Sequence, residues 1–139
     1  MKRKICFGLT VCLLIVTLAA CGRSGKLSEK FDEAEVKATA EKLVDFVNAG
    51  DVDGFCSVPM SAEMKETMTP ENTKSVFDQY LGNKGAFVEY ISNTVVGVTN
   101  QSTGEACAAA VVVVKYENQK VTYTISYDTD MNLIGFYIK

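Results

Sequence analysis

Cys21 is the residue best placed for chemistry in this 139-residue chain, and the chemistry is acylation of its thiol. Leu18, Ala19 and Ala20 stand directly before it, and an apolar run from Ile5 to about Thr17 follows Lys2, Arg3 and Lys4. A basic start, a short apolar stretch and small residues at a cut site mark a secretory signal. A cysteine immediately after that site can take a diacylglycerol through a thioether before the peptide is cut on its N-terminal side. The sequence therefore predicts a lipoprotein signal peptide over residues 1–20 and a lipidated Cys21. The protein is then expected on the extracytoplasmic face of the cell membrane, held by its lipid. A transmembrane helix does not fit, because the apolar stretch falls well short of the ~20 residues that span a bilayer.

Cys6 and Cys12 leave with the signal, so Cys56 and Cys107 remain as a pair in a compartment that permits disulfides. Either they form a bridge or they are two buried thiols acting as small hydrophobes. No C-x-x-C motif is present, and the chain has no histidine. Ser-His-Asp and Cys-His arrangements and His-ligated zinc sites are thereby excluded from this chain alone. No metal or other cofactor is expected. What remains for acid–base work is carboxylates and phenols, with Asp45, Asp78, Tyr123 and Tyr127 as the candidates.

Composition narrows the partners. The chain holds 14 basic and 17 acidic residues, and three of the basic ones go with the signal. Eleven basic against 17 acidic residues leave the mature chain at a net charge of −6. That balance argues against nucleic acid and against electrostatic adhesion to an anionic lipid surface. Arg23, Lys26 and Lys30, near the anchor, could favour lipid headgroups locally, although a solvated linker is the simpler account. The 119 residues after the signal suit one domain.

Residues 21–28 read as the lipidated cysteine and a tether, followed by a single domain over 29–139. Ser28 is a candidate helix cap. Val36, Ala40, Leu43, Val44 and Val47 then recur at helical spacing until Gly50 stops the helix. Asp51 caps a short second helix through Cys56, and Ser61 caps a third turn carrying Met64. Thr69-Pro70-Glu71 is a strong helix start, with Val76, Phe77, Tyr80 and Leu81 expected to face inward. From Phe87 the pattern changes to strands: 87–98 with a bulge expected at Asn93 or Gly97, 106–116 almost wholly apolar, and 133–139. Between the last two, Val121, Tyr123, Ile125 and Tyr127 alternate with Thr122, Thr124 and Ser126. Short turns between consecutive strands imply an antiparallel meander. The predicted fold is α+β: N-terminal helices packed on a curved four-stranded antiparallel sheet.

Asn48-Ala49-Gly50-Asp51, Ser61-Ala62-Glu63-Met64-Lys65 and Thr69-Pro70-Glu71 carry a resemblance that covers roughly residues 34–139. Gly85-Ala86-Phe87 and Ile134-Gly135-Phe136-Tyr137-Ile138 continue it. The chain resembles the domain-of-unknown-function 3887 group of small bacterial lipoproteins, with a cystatin- or nuclear-transport-factor-2-like cone. The segment Val58-Pro59-Met60 departs from the expected pattern. The resemblance implies a curved sheet wrapped on helices, often with a pocket inside, and supplies no established site residues; Tyr123, Tyr127 and Phe87 of this chain are the candidates to line such a pocket. The resemblance brings no established activity.

Three functions compete. The first is a non-enzymatic domain that binds a small-molecule ligand or a protein outside the cell, favoured by the anchor and the missing histidine. The second is a small pocket enzyme of the ketosteroid-isomerase kind, which would need a carboxylate base in an apolar pocket and phenol donors for an oxyanion. The third is a regulatory module docking on a separate enzyme. A homodimer is also open, because strand 106–116 is apolar on both faces and helices cover only one.

Overall fold

The structure, a computed structural model, describes residues 25–139. The signal peptide, Cys21 and residues 22–24 of the expected tether lie outside the described residues. Four helices, α1 (Glu33–Ala49), α2 (Val52–Cys56), α3 (Ala62–Thr67) and α4 (Pro70–Leu81), come first among them. Four strands follow, β1 (Phe87–Thr99), β2 (Ala106–Tyr116), β3 (Lys120–Tyr127) and β4 (Leu133–Ile138). They form one open antiparallel sheet in the order β1-β2-β3-β4, each strand pairing with the next. This is the α+β arrangement expected from the sequence.

Each helix starts where a short polar side chain can take the free backbone N–H groups of the first turn. Ser61 Oγ accepts from Met64 N and Thr69 Oγ1 from Asn72 N, with Pro70 in the first turn. The cap of α1 is Asp32 rather than Ser28: Asp32 Oδ1 accepts from Ala34 N at 2.9 Å. Ser28 lies one turn earlier, where its hydroxyl accepts from Lys30 N instead. Gly50, at φ 66, ends α1 in the left-handed region, where glycine carries no Cβ penalty.

One face of the sheet is covered. Val36, Ala40, Leu43, Val44 and Val47 of α1 are buried with Ala108, Ala110, Val112 and Val114 of β2. Burial is worth about 1.5–3 kcal/mol for each large side chain, so this stripe is a principal source of stability. Phe55 of α2 sets its ring edge-on against Phe77 of α4 and Phe136 of β4. Tyr80 points out of α4 and is 53 % exposed, contrary to the inward placement its spacing suggested. The stripe closes without it, through Thr73, Phe77 and Leu81.

The other sheet face carries no helix among the described residues. Cys107 and Ala109 lie there, nearly hidden by their strand neighbours, while Val111 and Val113 are half-buried beside Thr122, Thr124 and Ser126. The register breaks in β1 at Val88 and Ile91, not at Asn93 or Gly97. Asn93 and Gly97 pair in regular register with Val112 and Ala108; the Asn93 side chain instead reaches α1, and Gly97 makes a backbone bridge with Gly25.

Candidate functional site

A polar seam joins α1 to the first two strands. Lys37, Glu41, Asp45 and Asn48 each follow a buried α1 residue by one position, so they form a stripe flanking the apolar one. Asn93 Nδ2 donates to Lys37 O (3.2 Å) and to Glu41 Oε1 (3.0 Å). Tyr90 OH donates to Asp45 Oδ1 at 2.7 Å and approaches Glu41 O at 3.3 Å. Tyr116 OH donates to Asn48 Oδ1. With that proton committed, the 2.7 Å bond between Tyr116 and Tyr123 has Tyr123 as donor.

At its upper end the seam opens into an aromatic corner. The loop before β1 is clasped to the β2–β3 turn: Ala86 N donates to Glu117 Oε1 (2.7 Å) and Asn118 N to Lys84 O (3.0 Å). The clasp brings the Lys84 ammonium over the Tyr116 ring, 5.3 Å from its centroid. Phe87 meets Tyr90 edge-on at 5.1 Å between centroids and Tyr116 at 6.2 Å.

The electrostatics of these phenols have one direction. Burial raises the Tyr90 pKa above the usual phenol value, helped by its hydrogen bond to Asp45 and by the charges of Asp45 and Glu41. Burial also raises Tyr123, Tyr116 and Tyr127, opposed in Tyr116 by the bond it accepts from Tyr123. All four therefore hold their protons, and Tyr90, Tyr116 and Tyr123 act as donors, not as bases. Asp45 is exposed to solvent. Asp78 is also exposed, on α4, where it pairs with Lys74 at 2.6 Å. Among the described residues no three acid or cysteine side chains converge as a metal-ligand set.

The residues singled out from the sequence fall in separate places. Tyr123 is fully buried in the core, bonded to Tyr116, and Tyr127 is 2 % exposed, its hydroxyl without a hydrogen-bond partner among the described residues. Phe87 stands at the surface corner, 40 % exposed. Cys56 and Cys107 are both free thiols, so the disulfide weighed from the sequence is not formed. Cys56 Sγ lies among the helices, 3.5 Å from Met68 O and from Thr73 Oγ1, whereas Cys107 sits on the helix-free face of β2. The sheet itself separates them. Burial, with Asp128 and Glu105 nearby, pushes the Cys107 thiol up.

Sequence reading missed Tyr90, Tyr116, Asn93, Asn48 and Lys84. One signal was present: each of Val36, Ala40, Val44 and Val47 is followed by a polar residue, a second stripe beside the apolar one. Their strand partners lie 45 to 68 residues away, beyond any local pattern.

Helices leading into a four-stranded antiparallel meander, with phenols from the sheet meeting a polar stripe of the first helix, define a small α+β class of domain. The chain belongs to the family described as a protein of unknown function (DUF3887), which matches residues 40–136. Among solved structures it is similar to an NMR structure of a protein from Ruminococcus gnavus ATCC 29149. The two are 27% identical with a TM-score of 0.67, over 81% of this chain and 95% of the other. No curated protein matches.

Proposed function

We propose that this chain is a lipid-anchored extracytoplasmic lipoprotein whose domain binds a ligand or a protein partner and performs no catalysis. The anchor rests on Leu18-Ala19-Ala20-Cys21 behind its short apolar run. Among the described residues no helix is long and apolar enough to cross a membrane.

The observation that carries the non-catalytic reading is the state of the acids and phenols. A ketosteroid-isomerase-like site needs a carboxylate base inside an apolar pocket and phenols pointing into it. Tyr123 spends its proton on Tyr116, Tyr116 on Asn48, and Tyr90 on Asp45, whose carboxylate stands in solvent. Both candidate carboxylates, Asp45 and Asp78, stand at the exposed surface rather than in an apolar pocket, and the protons of Tyr90, Tyr116 and Tyr123 are already engaged. The exposed part of the corner offers recognition instead: an ammonium at Lys84, the Phe87 ring and the rim of Tyr90. Aromatic side chains recur among the residues that carry most of the energy of a binding surface.

Two measurements test the reading. Intact mass of the membrane-extracted protein should show diacylglyceryl-Cys21 as its N-terminal residue, and an unmodified product cut elsewhere refutes the anchor. Photo-crosslinking in cells from p-benzoylphenylalanine in place of Phe87 should give a discrete adduct that Lys84→Glu abolishes. No adduct from Phe87, or one indifferent to Lys84, removes the corner as a binding site.

A further inference from the structure

The segment after the anchor is built into the fold. Gly25 N donates to Gly97 O and Gly97 N to Gly25 O, both at 3.0 Å, an antiparallel bridge on the free edge of β1. A Cβ at position 97 would lie 2.3 Å from Lys26 O, so only glycine lets the strap pass. Leu27 then packs against the core and Phe31 is buried in it. The expected tether over 21–28 is thus seated from Gly25 onward. Only Gly22, Arg23 and Ser24 separate Cys21 from the bridge, a reach of about 14 Å at full extension.

The same strand carries the largest exposed aliphatic side chains described. Val88 and Ile91, 48 % and 45 % exposed, sit at the two register breaks of β1. Ile91 lies six residues from Gly97 along the strand, about 20 Å at the ordinary rise. The bulges interrupt the regular ladder there, which discourages addition of another strand and leaves the side chains as the available surface.

We infer that the β1 edge at Val88 and Ile91 is a second membrane contact, so that the lipidated domain lies along this edge on the bilayer. The inference rests on the lipid-anchored reading above. The short strap fixes the bilayer near Gly97, and an anchored surface meets Val88 and Ile91 at high effective concentration. Apolar contact, not charge, provides the attraction, because Glu89 lies between them and the mature chain is acidic.

The test uses the full lipidated protein in vesicles of phosphatidylcholine and phosphatidylglycerol. p-Benzoylphenylalanine replaces Ile91 in one sample and Tyr137, exposed on the far edge strand, in another. Lipid adducts several-fold more abundant from Ile91 than from Tyr137 are expected. Equal lipid labelling, or an adduct from Ile91 to a second copy or another protein in place of lipid, overturns the inference. Gly97→Val, which unseats the strap, should lower the Ile91 lipid adduct several-fold; unchanged labelling in a folded variant also overturns it. Should that variant not fold, the contrast between Ile91 and Tyr137 decides alone. Intact mass reports Cys21 lipidation separately: a lipidated chain with no Ile91 preference refutes only the edge contact, and an unlipidated chain refutes both readings.

Discussion

Replacing Tyr116 by Phe should destabilise the domain more than replacing Tyr116 and Tyr123 together. Both phenols are essentially fully buried, and their hydroxyls form a directed chain, Tyr123 to Tyr116 to Asn48 Oδ1. Tyr123→Phe removes the first donor and leaves Tyr116 still bonded to Asn48, a loss of about 1 kcal/mol. Tyr116→Phe removes the middle member. It breaks the bond to Asn48 and strands the Tyr123 O–H in the core, where an unpaired donor adds its desolvation cost, for about 2–3 kcal/mol in all. In the double variant neither hydroxyl is left to satisfy, and Asn48, half-buried, can hydrate, so the loss returns to about 1 kcal/mol. Urea unfolding followed by circular dichroism would measure all three, with about 4 °C of Tm per kcal/mol as a second readout. Additive losses, or a double variant worse than Tyr116→Phe, would refute the directed chain.

Tyr127→Phe should be neutral or stabilising by up to about 1 kcal/mol, since its buried hydroxyl has no partner among the described residues; a clear loss in the same urea assay would show that the hydroxyl is bonded. Alkaline stability follows from the same burial. Tyr123 and Tyr127 have folded pKa values raised above the ordinary phenol value near 10, so their contribution is fully present below that pH and is lost as pH rises above it. Each phenol that ionises only when unfolded adds a slope of about 1.4 kcal/mol per pH unit, which denaturation at graded alkaline pH would measure; a flat profile contradicts the assignment. Denaturation without reductant should expose both Cys56 and Cys107 to alkylation, and protection of the pair would restore the disulfide. Asp32→Ala should cost about 1 kcal/mol by thermal melting and Ser28→Ala much less, with the reverse order placing the helix cap back at Ser28.

The fold was legible where one face of an element is buried along its whole length. The stripe from Val36 to Val47 and the alternation from Val121 to Tyr127 each state a period, and the period states the element. Thr69-Pro70 marks a helix start because proline loses nothing where the N–H has no partner in the helix. What stayed hidden depends on contacts between distant segments. Asp32 and Ser28 are both good caps in isolation, and only the docking of Leu27 and Phe31 before the helix decides between them. Gly97 reads as a bulge candidate until Lys26 is found across it, 71 residues earlier in sequence. Cys56 and Cys107 read as a pair because nothing local says which face of β2 is covered; Ala108, beside Cys107, takes the covered one. The seam follows the same logic. A phenol on β1 and a carboxylate on α1 carry no shared period, so Tyr90 and Asp45 meet only once the helix is laid on the sheet. Their meeting also bears on function. The helix is fixed to the sheet by phenols whose protons are already committed, which makes the seam a rigid support for what stands at its rim, Lys84 and Phe87.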